Sequence, residues 1–153
     1  MSFTIRPATL ADSALLAAWA QAMAWETEHK TLPDSDIIPG TVRAIEQQGL
    51  AQYFIAEWDG KPAGCLMLTN EWSDWRNGLW WWIQSVFVAP EFRRQGVYRA
   101  LYEHVQELAK LNPDVHGIRL YVEKENTVAQ RTYLSLGMHD AKYVVFEQTT
   151  RQK

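Results

Sequence analysis

The 153-residue chain has 15 Lys and Arg against 18 Asp and Glu residues, a formal net charge of −3, and 47% of its residues are hydrophobic. This length suffices for one domain spanning residues 1–153, and the mildly acidic balance argues against a nucleic-acid partner. A single cysteine, Cys65, excludes an internal disulfide framework, and the sequence has neither a secretory signal nor a bilayer-spanning stretch, so we expect a cytoplasmic protein.

The first third of the chain predicts one strand and two helices. Residues 3–9 alternate apolar and polar side chains, as in a short strand. Thr9 is a plausible N-cap for the helix that follows. Residues 31–40 are polar and contain proline and glycine, which predicts a loop, and a second short helix is expected from Pro39 to Ile45.

The middle of the chain reads as three strands. Residues 52–58 and 63–69 flank Asp59-Gly60, a strong turn dipeptide, and predict a hairpin. Residues 78–90 form a continuous apolar run that ends at a proline, as expected of a central strand covered on both faces.

The remaining elements alternate between helix and strand. We expect a helix over 95–110, a strand over 117–123, a helix from the cap Asn126 to the stop at Gly137, and a closing strand over 141–148. The order β-α-α-β-β-β-α-β-α-β predicts one mixed α/β domain.

One turn carries a possible binding signal. Arg93 to Arg99 lie between the long apolar strand and the next helix, with Gly96 among them. Free N–H groups at a helix start, a glycine and positive charge together suit a phosphate. The segment matches neither a Walker A loop nor a dinucleotide fingerprint, and a lone glycine among basic residues is more often an exposed helix start.

The wider context narrows the choice. Residues 86–101, VFVAPEFRRQGVYRAL, resemble the acetyl-CoA-binding segment of the GCN5-related N-acetyltransferase (GNAT) superfamily, whose pattern Gln/Arg-x-x-Gly-x-Gly/Ala is Arg93 to Tyr98 here. A second family element, Asn-x-x-Ala-x-x-x-Tyr followed by Gly and an apolar residue, starts at Asn126 and ends at Gly137-Met138. The resemblance covers essentially the whole chain.

The resemblance implies a mixed central sheet whose fourth and fifth strands splay apart, with helices on both faces. It implies acetyl-CoA as co-substrate, with the pantetheine arm along the fourth strand and the pyrophosphate at the helix start. Tyr98 departs from the small residue usual at its position, which leaves the geometry there open. The implied cofactor-binding residues are Val86, Phe87, Val88, Arg93, Arg94, Gln95, Gly96, Val97, Tyr98, Arg99 and Asn126.

The implied reaction is direct acetyl transfer to a primary amine of a small molecule or peptide. A backbone N–H near Val86 or Phe87 would stabilise the oxyanion, and Tyr133 aligns with the family's general acid. The base is less obvious, because the fourth strand offers Gln84, which cannot act as one. Glu26, at the end of the first helix, is our choice of base.

A second acidic group competes for the role at the acceptor side. Glu71 and Asp74 lie among tryptophans, and Trp72, Trp75 and Trp81 could face a cationic amine. An equally plain interpretation treats these acids as exposed turn residues. No His, Cys, Asp and Glu spacing typical of a metal site is present, and we expect none.

Two other functions remain open. The missing carboxylate at Gln84 and the bulk of Tyr98 would also suit a non-catalytic acyl-CoA sensor or scaffold with the same fold. A DNA-binding helix over 93–110 is a weaker alternative, because Glu103 and Glu107 lie on it. An exposed edge strand or the tryptophan cluster could support a homodimer.

Overall fold

The computed structural model describes residues 3–151. The chain divides into two compact units, one ending at Tyr121 and the other beginning at Val122. The strands are β1 (Thr4–Pro7), β2 (Gln52–Trp58), β3 (Lys61–Ser73), β4 (Gly78–Val88) and β5 (Val115–Leu120). The helices are α1 (Ser13–Glu28), α2 (Asp34–Glu46), α3 (Val97–Leu111) and α4 (Thr127–Ser135), with short 3-10 helices at Leu10–Asp12 and Pro90–Phe92.

The first unit is built on one mixed sheet in the order β1-β2-β3-β4-β5. The pairs from β1 to β4 are antiparallel, and β5 lies parallel to β4. A parallel neighbour requires a crossover, which α3 supplies. The predicted hairpin of β2 and β3 is confirmed: Asp59 and Gly60 both have positive φ, as a tight two-residue turn between twisted strands requires.

Helices cover both faces of this sheet, as expected. Ile55 on β2 belongs to a buried cluster with Leu16 of α1, and Ile45 of α2 packs against the same cluster. The ring of the preceding residue, Phe54, instead contacts His104 of α3 at a centroid distance of 5.4 Å. Because successive side chains of a strand point to opposite faces, α1 and α2 lie on one face and α3 on the other.

The predicted cap Thr9 lies one short turn ahead of the first α-helix, because the N-cap of α1 itself is Asp12. Thr9 caps the 3-10 turn that leads into α1, and its backbone N–H donates to Asp12 at 2.8 Å. Arg6 of β1 donates to both oxygens of Asp12 at 2.8 and 2.9 Å and lies 3.1 Å from Glu57 of β2. These contacts hold the N-terminus of α1 against β1, at the edge of the sheet.

The predicted loop over 31–40 is wrong, and so is the helix start at Pro39. Residues from Asp34 are already helical, and Pro39 lies inside α2. Asp34 and Asp36 in the first turn interact favourably with the positive end of the helix dipole. Thr41 is almost fully buried and its hydroxyl donates to the Ile37 carbonyl, so tertiary burial outweighs the proline's cost to the helix.

The predicted closing strand over 141–148 is also wrong. Residues 138–151 adopt no regular secondary structure, and the sheet of the described residues has five strands. Alternation and β-branched side chains favour a strand, but a strand forms only where a neighbouring edge supplies hydrogen-bond partners. Among residues 3–151, no helix is long and apolar enough to cross a bilayer.

Candidate active site

β4 extends beyond its parallel neighbour. The pairing of β4 with β5 runs from Leu79 to Ile83, opposite Val115 to Leu120, where β5 ends. From Gln84 to Val88, β4 pairs with β3 on one side only within the described residues. A β4 that runs on past the end of β5 agrees with the GNAT-type sheet that the resemblance implies, and within the first unit no second strand lies beside this part of β4.

A bulge lies at the start of this open stretch. Gln84 pairs with Met67 and Phe87 with Cys65, so three residue steps of β4 match two steps of β3. Ser85 takes up the extra residue with a positive φ of 52°. Bulges redirect the backbone groups next to them, and the residues proposed for the pantetheine arm and the oxyanion follow directly.

The turn after β4 ends at an open helix N-terminus. Arg94 and Gly96 both have positive φ, 65° and 85°. The carbonyl of Gly96 accepts the first helical hydrogen bond, from Ala100 N–H at 3.0 Å, so the earlier amides of the turn face out of the helix end. A Cβ built at Gly96 would meet nothing within 4 Å. Outward amides, the helix dipole and open space fit a diphosphate.

Tyr98 occupies this turn without blocking it. Its ring packs near Tyr102, one helical turn further on, with ring centroids 6.2 Å apart. The backbone N–H stays in the first turn of α3 whatever the size of the side chain. The large side chain of Tyr98 therefore does not prevent its backbone N–H from binding a phosphate.

Arg93 anchors the turn instead of pointing freely into it. Its Nε donates to the Val88 carbonyl at 2.9 Å, and its Nη2 donates to both oxygens of Glu26 at 2.9 and 3.1 Å. The guanidinium also lies over the Phe87 ring, 5.5 Å from the centroid. Arg93 therefore connects the end of β4 with the end of α1, and it brings the proposed base Glu26 next to the proposed cofactor turn.

A glycine lets α3 approach the sheet at this point. A Cβ at Gly64 of β3 would lie 2.7 Å from the Phe87 carbonyl oxygen and 2.9 Å from Val97 Cγ1. Val97, the first residue of α3, is 2% exposed. The position of the helix start relative to β4 thus depends on the missing side chain of Gly64.

The structure places no carboxylate on the open part of β4. Gln84 donates from Nε2 to Thr69 Oγ1 at 2.7 Å. Glu71 accepts from Trp82 Nε1 at 2.8 Å and forms an ion pair with Arg119 at 3.3 Å. The negative charge of Glu71 is therefore already balanced within the sheet.

The expected role of Trp81 facing a cation is wrong. Trp81 is 7% exposed and pairs with Asn70, whereas Glu71 pairs with Trp80 on the opposite face. Trp72 and Trp75 are exposed, at 60% and 84%.

The sequence did not predict a cluster of aromatic side chains and one arginine on the opposite face of the sheet from Trp81. The Arg119 guanidinium stacks over Trp80 at 3.9 Å, and Tyr121 packs on Trp82 with centroids 4.6 Å apart. The Trp80 ring lies directly over Gly117, where a Cβ would come within 2.6 Å. Alternation along β4 and β5 could have placed these side chains on one face, but the pairing register was needed to bring them together.

The second unit carries the other motif. The Oδ1 of Asn126 accepts from Ala129 N–H at 3.1 Å, which confirms it as the N-cap of α4, while its Nδ2 takes no part in the cap. Gly137 has φ of 95°, as expected at a helix stop. Tyr133 is half-buried on α4, and burial raises the pKa of its phenol.

Comparisons with known proteins agree with this geometry. The model of the acetyltransferase (GNAT) family matches residues 14–138. A crystal structure from Clostridium difficile 630, described as a possible acetyltransferase, is 34% identical, with a TM-score of 0.92 over 99% of this chain and 100% of that chain. No curated protein matches the sequence.

More distant structures share the fold. A probable acetyltransferase is 22% identical, with a TM-score of 0.83 over 98% of this chain and 99% of the other. An aminoglycoside N-acetyltransferase in complex with CoA is 19% identical, with a TM-score of 0.77 over 97% of this chain and 95% of the other. The family match over residues 14–138 and the 34% identity to the first structure show that the chain belongs to the GNAT acetyltransferase family.

Proposed function

We propose that this acetyltransferase transfers the acetyl group of acetyl-CoA directly to a primary amine of a small molecule or peptide, with residues 1–153 acting as one domain. Acetyl-CoA is the co-substrate of the family and supplies the activated acetyl group when bound. The observation that carries the proposal is the juxtaposition of the part of β4 that pairs with β3 on one side only and the open N-terminus of α3. One feature suits an extended amide-bearing arm and the other a diphosphate.

The roles within the first unit follow from this arrangement. We assign hydrogen bonds to the pantetheine arm to the backbone of Val86 to Val88, and an N–H near Val86 or Phe87 to the oxyanion. The amides from Arg94 to Arg99 bind the pyrophosphate. Arg93 holds that turn in place through the Val88 carbonyl and Glu26.

The proposed acid and base act at opposite ends of the transfer. Tyr133 donates its proton to the departing sulfur, and its raised pKa keeps the phenol protonated at neutral pH. Glu26 accepts the amine proton. Both of its oxygens already accept from Arg93 Nη2, but a carboxylate has about four lone-pair positions, so each oxygen retains acceptor capacity. On the second unit, Asn126 is proposed to contact the pantetheine arm through Nδ2.

The proposed acceptor is a primary amine. The similar aminoglycoside N-acetyltransferase modifies amines, and its likeness to this chain shows the fold alone. We place the reaction in the cytoplasm because the free Cys65 fits a reducing compartment.

Binding and turnover are tested separately. Acetyl-CoA at a hundredfold excess over its Kd should stabilise the protein by about 2.7 kcal/mol, seen as a higher Tm. An amine panel should then release free thiol. Cys65 is buried, which raises the pKa of its thiol to about 12, so the native protein itself should stay silent in a thiol assay at pH 8.

The non-catalytic acyl-CoA sensor is the second candidate, and Gln84 on β4 is the observation that favours it. A sensor would show the same rise in Tm without thiol release for any amine of the panel. Absence of any thermal shift with acetyl-CoA would contradict both candidates.

A further inference from the structure

The side chains on either side of the β4 bulge point to one face of the sheet. Gln84 pairs with Met67 of β3, and Phe87 pairs with the β3 residue two positions earlier. Paired residues and alternate residues of a strand share a face, so Gln84 and Phe87 point the same way. Phe87 packs against Trp19 of α1, with ring centroids 5.6 Å apart. The helix that carries the proposed base Glu26 therefore covers the face to which Gln84 points.

The carboxamide of Gln84 is held in place and keeps one acceptor. Its Nε2 donates to Thr69 Oγ1 on the neighbouring strand at 2.7 Å, and within residues 3–151 this is the one hydrogen bond of the Gln84 side chain. Its Oε1 can therefore accept an N–H from an amine in front of the bulge. A carboxamide binds an amine without taking its proton, so Gln84 would orient the acceptor while Glu26 serves as the base.

The two carboxylates on this side of the sheet are each paired with an arginine. Glu26 accepts from Arg93, and Glu71, further along β3 on the same face, lies 3.3 Å from Arg119. The Arg119 guanidinium also lies 5.9 Å from the centroid of the Trp82 ring. A second ammonium group over that ring would meet a like charge and a carboxylate that is already paired. These pairs contribute no net negative charge to hold a polycationic acceptor.

We propose that the acceptor is a monoamine with an uncharged, apolar body. Its amine donates to Gln84 Oε1 in front of the bulge, and its body lies along β4 on Trp82 and Met67, both of which are half-buried. Contact with these side chains removes apolar surface from water, whereas a charged body would lose its hydration there. The inference rests on the proposed acetyl transfer and adds the class of amine that it uses.

A matched pair of amines tests this class. Heptylamine and 1,6-diaminohexane have the same number of heavy atoms, but the diamine carries an ammonium group in place of the terminal methyl group. With acetyl-CoA as co-substrate, we expect kcat/KM for heptylamine to exceed that for the diamine by about tenfold or more. Equal values, or a preference for the diamine, would overturn the proposal.

Two substitutions change the charge balance in opposite directions. Arg119→Gln leaves the Glu71 carboxylate uncompensated and should shift the ratio of the two kcat/KM values toward the diamine. Glu71→Gln leaves the arginine uncompensated and should shift the ratio toward heptylamine. The ratio compares two substrates on one variant, so a partial loss of folded protein cancels. A ratio that stays the same in both variants would contradict the charge argument.

Gln84→Leu tests the positioning role. Loss of the carboxamide should raise KM for heptylamine about tenfold, while the acetyl-CoA-dependent rise in Tm persists. Thr69→Val should raise KM in the same direction, and Thr69→Ser, which keeps the hydroxyl, should retain the natural KM. Gln52→Leu is the matched control, at an exposed glutamine of β2 that points to the α3 side of the sheet. An unchanged KM in Gln84→Leu would overturn its role.

Thiol release separates the failure of this inference from the failure of acetyl transfer. If acetyl-CoA raises Tm but no amine releases thiol, the transfer itself is overturned, and the inference with it. If amines are acetylated with the opposite preference, only the proposed class of acceptor is overturned.

Discussion

At the residue scale, backbone conformation builds the turn ahead of α3. Gly96 has φ of 85°, a region that costs side chains about 1–2 kcal/mol. The space above it is open, which is where the proposed diphosphate approaches. A side chain at position 96 would therefore have two effects, backbone strain and obstruction of the ligand. A control glycine with a similar φ but no role in binding separates them.

We predict that Gly96→Ala weakens acetyl-CoA binding by about tenfold, because the new methyl group occupies the approach to the amides. Gly49→Ala is the matched control: Gly49 has φ of 91° and nothing within 4 Å of a built Cβ. Both variants should lose similar stability in denaturant titration, but only Gly96→Ala should lose affinity in calorimetry. Equal affinity of the two variants would remove the diphosphate from this turn.

Tyr133→Phe tests the proposed acid. Loss of the hydroxyl should lower kcat about 10²- to 10⁴-fold while the acetyl-CoA-dependent rise in Tm persists. Because burial raises the phenol pKa, the rate of the natural enzyme should not fall on this account until the pH exceeds the ordinary value of about 10. Tyr102→Phe, at a buried tyrosine of α3, should retain kcat; unaltered kinetics of Tyr133→Phe would end its assignment as the acid.

At the element scale, the approach of α3 to β3 and β4 depends on Gly64. A methyl group there meets a carbonyl oxygen at 2.7 Å, and backbone cannot move aside as a flexible side chain can. The first turn of α3 must then shift away from β4.

We expect Gly64→Ala to cost about 1–3 kcal/mol of unfolding free energy by overpacking and also to weaken acetyl-CoA binding. Gly40→Ala within α2 provides the control, since nothing lies within 4 Å of its Cβ. Thermal unfolding with and without acetyl-CoA checks both effects. A destabilised Gly64→Ala with unchanged affinity would mean that the helix position does not control the site.

The junction of β1 with the α1 entrance should depend on pH. The Arg6 guanidinium lowers the pKa of Asp12 from 3.8 to about 2, a difference worth about 2 kcal/mol. Because the folded pKa is depressed, this stability is present above pH 3.8 and is lost as the pH falls toward 2. Asp12→Asn should be less stable than the natural protein at neutral pH, with the gap closing in acid.

Urea unfolding between pH 2 and pH 7 measures that gap. A gap for Asp12→Asn that stays constant across the range would contradict an ion-pair origin.

At the scale of the whole molecule, the proposed binding site for acetyl-CoA lies where β4 continues past the end of β5. Acetyl-CoA should slow hydrogen exchange at the amides of 86–88 and 94–99, because these groups become its partners. Amides of β1, at the opposite edge of the sheet, serve as the internal control and should be unaffected. Slowing spread evenly over the first unit would indicate general stabilisation and contradict the proposed site.

Local signals in the sequence were sufficient for much of this fold. Asp59-Gly60 at the hairpin, the Thr9 and Asn126 caps and the Gly137 stop act through residues within a few positions of one another. These turns and caps form independently of where the rest of the chain packs. The turn proposed to bind the cofactor is also local, since Gly96 and the helix start are consecutive.

Other features depended on distant parts of the chain. Arg93 meets Glu26 across 67 positions, and Arg119 meets Glu71 across 48. The sequence around each of these residues gives no indication of its partner.

The sequence by itself determined the element order from β1 to α4, most caps and turns, and the family that the motifs resemble, because those depend on short-range backbone chemistry and residue pattern. Only the tertiary structure decided that α2 begins at Asp34, that residues 141–148 form no strand, and that Arg93 is bound to Glu26. The reason is that burial and strand pairing are satisfied by neighbours in space, and their free energies can outweigh local preference.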